Sequence, residues 1–269
     1  MVTCAELMVL LARSSLKNLI IDFEVLMNFF SHIFFTSYCF ENDKILKETC
    51  ILPDKDENNY GYSCHFFNPV TYKCYLNSED SAKNRFIWHL SNYLISKEKE
   101  SFGRSIHYLE DICTPVHTQY EDPVDAALKL NLHINFEKQL DEYLESHIEF
   151  KQYITFNTIS ELLKYCPCKS AELYQQYVSE TKLDNILRNV SELTISALYS
   201  LKNILESKKI IAKQFSLKNI KINVLFEKNN MLPSCLDSNF CLRYNGFDNI
   251  LAFSRNNRLH NFQFTNFLL

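Results

Sequence analysis

Two pairs of metal-binding residue types lie close together in the middle of the sequence. His107 is followed four residues later by Asp111, and His133 is followed four residues later by Glu137. Side chains four residues apart lie on the same face of an α-helix, so each pair can reach one ion if its segment is helical. Imidazole nitrogen and carboxylate oxygen are both ligands that zinc accepts in proteins. The spacing therefore predicts two helices that each offer a two-residue clamp to a metal ion.

A third histidine follows the first pair just after a proline. Pro115 comes four residues after Asp111, and His117 comes two residues after Pro115. Proline removes a backbone donor and disfavours helix in the residue before it, so the first helix is predicted to end there. His117 would then leave the helix and face a neighbouring ion. One His-x-x-x-Asp pair alone is more typical of a surface ion pair, and the prediction depends on several such residues occurring together.

The segment from His107 to His117, HYLEDICTPVH, resembles the signature of the zinc-dependent phospholipase C family. That family includes the bacterial phosphatidylcholine-preferring enzymes and the catalytic domain of clostridial alpha toxin. Upstream, Cys64–Pro69 is similar to the family's His-Phe-Tyr-Asp-Pro element, and Pro53–Asp56 is similar to its Pro-Asp-x-Asp element. The resemblance covers residues 50 to 207 approximately. It departs after His117, where the family's loop carries an asparagine and this chain continues with Thr118-Gln119-Tyr120.

This resemblance implies two zinc ions and a set of ligands for each. One ion would be bound by Asp54, His65, His107 and Asp111, and the other by His117, His133 and Glu137. Two such ions bind the oxygens of a phosphodiester and lower the pKa of a water molecule toward neutrality. By resemblance, Asp54 would orient and deprotonate that water. Asp56 lies only two residues away, and either aspartate could be the matching one.

A third zinc site is expected to be incomplete. Family members build it from the amino group and carbonyl of an N-terminal tryptophan, a histidine on the first helix and the aspartate at the position of Asp111. The single tryptophan here is the internal Trp88, and His32 is the only histidine that precedes Asp54. His32 is therefore a candidate third-site ligand, with a histidine of the apolar core as the alternative. We expect two tightly bound zinc ions rather than three.

The composition disfavours several other functions. The chain has 3 glycines in 269 residues and no glycine-rich phosphate loop, which argues against a nucleotide-binding α/β fold. Its formal net charge of -4 disfavours binding to nucleic acid. The ten cysteines are too dilute for a disulfide-stapled miniprotein. The apolar segments near the N-terminus are too short or too polar to cross a bilayer, so no transmembrane segment is predicted.

The hydrophobic pattern predicts an all-α bundle with a small β-like appendage. Apolar residues recur every three or four positions in residues 81–97, 102–113, 131–149 and 170–207. After Lys208 the pattern alternates instead, and Tyr244–Phe247 is typical of a hairpin turn. We therefore divide the chain into a divergent N-terminal helical segment (1–45), a phospholipase C-like helical domain (46–207) and a β-like C-terminal tail (208–269).

These observations favour a zinc-dependent phospholipase C that releases diacylglycerol and a phospho-head group. The resemblance implies a phospholipid substrate, contact with a membrane surface and export from the cell. It also implies an aromatic cradle for a quaternary ammonium head group, formed by Tyr62, Phe66, Phe67 and Tyr120. Two alternatives stay open. One is a single-strand-specific zinc nuclease, which shares the metal cluster but typically has aspartate at the position of Glu137. The other is a metal-binding relative that has lost turnover.

Overall fold

The computed structural model describes residues 29–57, 63–70, 81–118, 130–179, 182–207, 210–217, 220–228, 247–255 and 258–259. Its helices are α1 (Phe30–Cys39), α2 (Lys44–Thr49), α3 (Leu52–Asp56), α4 (Ala82–Ser96), α5 (Lys99–Cys113), α6 (Leu130–Ser146), α7 (Ile159–Val178) and α8 (Leu183–Glu206). Two short 3-10 helices, η1 (Ser63–His65) and η2 (Pro115–His117), lie between them. The predicted multi-helix bundle is confirmed for the described residues before 208.

Helix α5 lies at the centre of the bundle. Every residue from Ser105 to Cys113 is buried, including three with ionisable side chains that no apolar stripe would contain: His107, Glu110 and Asp111. Helices α2, α3, α4, α7 and α8 all pack against it. The helix ends at Cys113, and Thr114 is extended with φ -90° and ψ 120°, as the residue before a proline prefers. The metal-ligand pair predicted on this helix therefore points into the interior of the protein.

Gly103 permits a close approach between α5 and α2. A Cβ atom at this position would overlap the side chain of Thr49, the last residue of α2. Thr49 is itself held in place because its hydroxyl donates to the carbonyl of Ile45 at 2.7 Å. The glycine thus allows the short helices that precede the site to lie directly against α5.

The C-terminal strands form one antiparallel sheet, which confirms the β-like appendage. The sheet contains β1 (Ile210–Leu217), β2 (Ile220–Lys228), β3 (Phe247–Arg255) and β4 (Arg258–Leu259), in spatial order β1-β2-β3-β4. Ile210 pairs with Glu227 and Leu217 with Ile220, so the first two strands form a hairpin. The turn predicted at Tyr244–Phe247 lies outside the described residues, apart from Phe247 at the start of β3.

Polar side chains on β2 join the sheet to the helices. Asn223 on β2 donates from Nδ2 to Asn92 Oδ1 on α4 at 2.7 Å. The carboxylate of Glu227, also on β2, accepts hydrogen bonds from the backbone N–H groups of Ile159 and Ser160 at the start of α7. The hydroxyl of Ser160 donates to the same carboxylate at 2.7 Å. The sheet therefore supplies acceptors that the first turn of a helix needs.

Two details of the helices differ from the sequence-based expectation. The segment predicted as one helix over 170–207 is two helices, α7 and α8, and α7 already begins at Ile159. Proline usually marks the end of a helix, yet the Cys166-Pro167-Cys168 stretch lies inside α7, with Cys166 buried and Cys168 exposed. Proline costs a helix one hydrogen bond, and here the packing of apolar neighbours such as Leu162 and Leu163 outweighs that loss.

Candidate metal centre

The structure brings together all eight residues proposed as metal ligands. They come from six separate elements: His32 from α1, Asp54 from α3, His65 from η1, His107 and Asp111 from α5, His117 from η2, and His133 and Glu137 from α6. Within the described part of the chain, three groups of nitrogen and carboxylate atoms lie close enough to hold ions: His32, Asp54 and His107; His65, His107 and Asp111; and His117, His133 and Glu137. Residues that are distant in sequence thus meet in one cluster.

The first site, formed by Asp54, His65, His107 and Asp111, is enclosed by protein. His65 Nδ1 lies 2.9 Å from Asp111 Oδ2, 3.0 Å from His107 Nε2 and 3.6 Å from Asp54 Oδ1. His107 Nε2 lies 3.3 Å from Asp111 Oδ2 and 3.4 Å from Asp54 Oδ1. A zinc ion with four bonds of about 2.0–2.1 Å has donor–donor edges of roughly 3.3 Å. These five distances lie on both sides of that value, so the spacing of the imidazole and carboxylate atoms is compatible with a bound metal ion.

The two aspartates that the sequence could not distinguish have different surroundings. Asp54 is 6% exposed and faces the imidazoles of His65 and His107. The side chain of Asp56 is half exposed and forms an ion pair with Arg104, with a nitrogen–oxygen distance of 2.6 Å. Of the two, the structure therefore places Asp54 beside the candidate ligands.

The second site, formed by His117, His133 and Glu137, has three donors and an opening to solvent. Glu137 Oε1 lies 3.2 Å from His117 Nε2 and 2.8 Å from His133 Nε2. The Glu137 side chain is 30% exposed, whereas the side chains of His65, His107 and Asp111 are at most 3% exposed. Three protein donors with a free position are typical of catalytic zinc sites, and four donors are typical of closed ones. A substrate would therefore reach the cluster from the Glu137 side.

Backbone contacts fix the ring of His117. Its Nδ1 is 2.9 Å from the carbonyl of His65, to which it donates, so Nε2 remains for Glu137. In return, the N–H of Phe67 donates to the carbonyl of His117 at 2.9 Å. The ring of Phe66 stacks on His117 with a centroid distance of 5.0 Å and lies edge-on to His133. These contacts hold the segment that begins with η1 against η2, so the first and second sites stay adjacent.

The predicted aromatic cradle is described only in part. Phe66 and Phe67 are buried against the site and the core, and Tyr62 and Tyr120 lie outside the described residues. The ammonium group of Lys83 lies 5.4 Å from the centroid of the Phe67 ring, so a cation of the protein itself already contacts that ring. The head-group cradle stays a prediction.

His32 lies beside the first site. Its ring stacks on His107 with a centroid distance of 4.1 Å. Its Nε2 lies 3.8 Å from Asp54 Oδ2 and 4.0 Å from Asp111 Oδ1. Burial and the neighbouring His107 lower the pKa of His32 to about 3, so the ring is neutral at neutral pH and can act as a ligand. His32 therefore faces the cluster rather than the apolar core.

The buried acids and imidazoles of the cluster shift the pKa values of one another. Burial disfavours the ionised form of Asp111, but the opposing charges of His107 and His117 outweigh it and hold its pKa well below the usual value. Burial raises the pKa of Asp54 despite the attraction of His107 and His65. For His117, Asp111 and Glu137 overcome the effect of burial and raise the pKa. A divalent cation would replace these protons, so metal binding here would release protons and strengthen as pH rises.

Sequence reasoning missed two carboxylates that support the ligands. Glu110 accepts from, or shares a proton with, His32 Nδ1 at 2.6 Å. Glu57 is buried and bonded to side chains on two helices: Arg85 and His89 on α4, and Arg104 and Tyr108 on α5. Glu57 follows Asp54 by three residues, so this network fixes the end of α3 beside α5. Glu110 lies within the segment His107–His117, and Glu57 directly follows Pro53–Asp56. Their hydrogen-bond partners are distant in sequence, so the motifs themselves do not indicate these contacts.

Comparisons with known proteins found a distant structural similarity. No protein-family model matches the chain, and no curated protein matches it. Among solved structures, the chain is similar to "Alpha Toxin from Clostridium Absonum", with 19% sequence identity and a TM-score of 0.47. The match covers 71% of this chain and 60% of the toxin chain, so it spans less than two thirds of the toxin. In the described part of this chain, none of the helices has the length and apolar character needed to cross a lipid bilayer.

Proposed function

We propose that this protein is a zinc-dependent phosphodiester hydrolase, and specifically a phospholipase C that cleaves a glycerophospholipid to diacylglycerol and a phospho-head group. The observation that carries the proposal is the pairing of an enclosed group of donors, His65, His107 and Asp111 with Asp54 beside them, with an open three-donor group. Zinc supplies Lewis acidity toward a phosphodiester and lowers the pKa of water. The resemblance of HYLEDICTPVH to the phospholipase C signature supports the choice of reaction.

In this proposal the enclosed site, the open site and Asp54 have different roles. His65, His107 and Asp111 form the closed part of the cluster and supply the nitrogen donors and the negative charge that hold a cation there. His117, His133 and Glu137 leave the open side for the substrate's phosphate oxygens. Asp54 takes the proton from the attacking water. In the metal-free protein burial raises the pKa of Asp54, although the nearby imidazoles of His107 and His65 oppose that shift.

The test is hydrolysis of a short-chain phosphatidylcholine by purified protein, with release of phosphocholine as the readout. We expect activity that a chelator abolishes and that zinc restores. The Asp54→Asn variant should lose at least about 100-fold in kcat, a much larger effect than its loss of zinc, because an amide oxygen can still face the ion but cannot accept the proton. Asp56→Asn is the matched control, since Asp56 is half exposed and paired with Arg104, and it should retain nearly full activity.

Three results would redirect or end the proposal. Faster hydrolysis of single-stranded DNA or RNA than of phosphatidylcholine would make the protein a zinc nuclease. Full zinc content without hydrolysis of either substrate would make it a metal-binding relative that has lost turnover. Absence of zinc from well-folded protein would remove the basis for any of these activities.

We also propose that the protein is exported and acts at a membrane surface, and the family resemblance is the support for this. Co-sedimentation with phosphatidylcholine vesicles in the presence of zinc should retain the protein in the pellet, and a chelator should reduce that retention. Recovery of the zinc-loaded protein entirely in the supernatant would count against membrane contact. Recovery of the native protein only inside cells would count against export.

A further inference from the structure

Glu110 is a buried carboxylate that lies just behind the candidate metal ligands. It lies on α5 between His107 and Asp111 in the signature segment and is 2% exposed. Its Oε2 is 2.6 Å from Nδ1 of His32, although the two residues are 78 positions apart in sequence. This is among the shortest side-chain contacts around the cluster. Burying a carboxylate costs free energy unless the group has a specific partner, so the contact indicates a role.

Helix α1 presents two side chains to this one carboxylate. His32 and Thr36 are four residues apart and therefore lie on the same face of α1. His32 contacts Glu110 Oε2, and the hydroxyl of Thr36 donates to Glu110 Oε1 at 3.4 Å. Each oxygen of Glu110 thus has a partner on α1. The carboxylate is held between α1 and α5, and it in turn limits the rotation of the His32 ring.

The contact leaves only one nitrogen of His32 for a metal ion. Nδ1 is occupied by Glu110, whichever of the two groups holds the shared proton in the metal-free protein. Nε2 lies on the opposite side of the ring, facing Asp54 Oδ2 at 3.8 Å and Asp111 Oδ1 at 4.0 Å. Histidines that bind metals commonly donate their other ring N–H to a carboxylate, which sets the tautomer and the orientation of the ring.

We propose that Glu110 is a positioning residue of the candidate metal centre: its hydrogen bond to Nδ1 commits Nε2 of His32 to a cation shared with Asp54 and Asp111. The inference rests on the proposed function only in taking the cluster to bind a divalent cation. It does not depend on which ester, if any, the protein hydrolyses. Glu110 acts through His32 and does not itself contact the ion.

The first test reads the tautomer directly. Protein labelled with nitrogen-15 at histidine is titrated with zinc, and the ring nitrogens of His32 are assigned by comparison with His32→Ala. We expect the zinc-loaded protein to show a protonated Nδ1 and a metal-shifted Nε2 at His32. A protonated Nε2, or a His32 ring that does not respond to saturating zinc, would overturn the proposal.

The second test separates two effects of Glu110: the orientation that it gives to the His32 ring and its own negative charge. Glu110→Ala removes the hydrogen bond and the charge, whereas Glu110→Gln removes the charge but keeps an acceptor for Nδ1–H. Competition titrations with zinc should show that Glu110→Ala weakens the His32-dependent ion by about 10–100-fold, as loss of such a partner typically does. Glu110→Gln should restore most of that affinity. Equal losses in the two variants would mean that Glu110 acts through charge, and the positioning role would be wrong.

Two controls complete the design. Thr36→Val removes the other hydrogen bond of Glu110 and should leave the affinity nearly unchanged. In a His32→Ala background, Glu110→Ala should cause no further loss, because its effect passes through the missing ring. If Glu110→Ala does not fold, the tautomer measurement and Glu110→Gln still decide the question. Hydrolysis of phosphatidylcholine is measured separately, so loss of the proposed activity and loss of this inference are distinct results.

Discussion

At the scale of single residues, His117 is one of the three donors of the open second site. His117 lies in η2, after the end of α5; its Nδ1 donates to the His65 carbonyl, and its Nε2 lies 3.2 Å from Glu137 Oε1, where it could bind the proposed ion. Removing it leaves His133 and Glu137, and two protein ligands hold zinc loosely. The enclosed site keeps all four of its own donors. A single histidine therefore distinguishes the retention of one ion from the retention of two.

We expect purified protein to retain two zinc ions per chain after dialysis, and His117→Ala to retain one. Elemental analysis of protein with an unchanged circular dichroism spectrum measures this. His147→Ala is the control, because His147 stacks on Tyr143 away from the proposed ligands and its removal should leave the zinc content at two. Two ions in the His117→Ala variant would contradict the ligand assignment, and three in the unmodified protein would mean that the His32 site is tight.

The sequence predicted which candidate ligands lie close together best where both members of a pair lie on one helix. His107 with Asp111 and His133 with Glu137 needed only the helical repeat, because their geometry is local. Local geometry could not choose between Asp54 and Asp56, and the choice came from Arg104, which pairs with Asp56 from another helix. Glu110 was missed for the same reason: nothing near it in sequence indicates a partner on α1.

At the scale of secondary-structure elements, a carboxylate on α6 accounts for how the first helix is placed. Asp141 is buried, and its Oδ1 accepts the N–H of Ser31 in the first turn of α1 at 3.0 Å. Its Oδ2 has no hydrogen-bond partner among the described residues. Burial raises the pKa of Asp141 to about 7, although the Ser31 contact acts in the opposite direction. Helix α1, which carries His32, is thus joined to the ligand helix α6 by a group that titrates near neutrality.

Asp141 should make the zinc-free protein less stable as pH rises. Folding raises the pKa of Asp141 from 3.8 to about 7. Ionisation of Asp141 therefore does not lower the free energy of unfolding below pH 4 and lowers it fully above pH 7. An asparagine side chain at this position cannot ionise but keeps an acceptor for Ser31. The free energy of unfolding of Asp141→Asn should therefore rise by roughly 1–2 kcal/mol relative to that of the parent between about pH 4.5 and pH 8, after allowance for solvent screening. Urea unfolding of chelator-treated protein at several pH values measures this difference.

If the free energy of unfolding changes with pH in parallel in the parent and in Asp141→Asn, then Asp141 has the same pKa in the folded and unfolded states. Asp184→Asn provides a comparison, since Asp184 lies in the first turn of α8 and is exposed. The Asp184→Asn substitution should leave the pH dependence of the free energy of unfolding as steep as in the parent. Zinc must be absent throughout, because added positive charge near Glu137 would lower the pKa of Asp141.

The helix pattern also shows the limit of periodicity. Residues 170–207 kept an apolar repeat across the junction of α7 and α8, so the break between Val178 and Leu183 was not visible in the repeat. Pro167 is a strong local signal against helix, yet tertiary packing retained the helix. At both places, long-range contacts rather than local preference decided the structure.

At the scale of the whole molecule, the C-terminal sheet takes part in building the helical body. The sequence indicated a β-like tail from its alternating residues but could not show what it contacts. In the structure, Glu227 accepts hydrogen bonds at the start of α7, and Asn223 bonds to Asn92 on α4. The same first turn is also capped by Thr158, whose hydroxyl accepts the N–H of Glu161 at 3.0 Å. One end of α7 is therefore completed by residues from two parts of the chain.

Replacing Glu227 by alanine should therefore destabilise the helices as well as the sheet. The substitution leaves the N–H groups of Ile159 and Ser160 buried or half-buried without their acceptor, at an expected cost of roughly 2–3 kcal/mol in the free energy of unfolding. Urea denaturation followed by helical circular dichroism measures that loss. Glu172→Ala, on the exposed side of the same helix, should change stability by less than about 0.5 kcal/mol.

The same substitution decides whether the sheet is an independent appendage or part of the helical body. An independent sheet would leave helix unfolding unchanged in Glu227→Ala, and limited proteolysis would remove the strands without lowering the unfolding midpoint of the helices. A sheet that completes α7 behaves differently, because the acceptors for Ile159 and Ser160 are lost together with β2. Cleavage of the strands and loss of helix stability should then occur together, and we expect this second outcome.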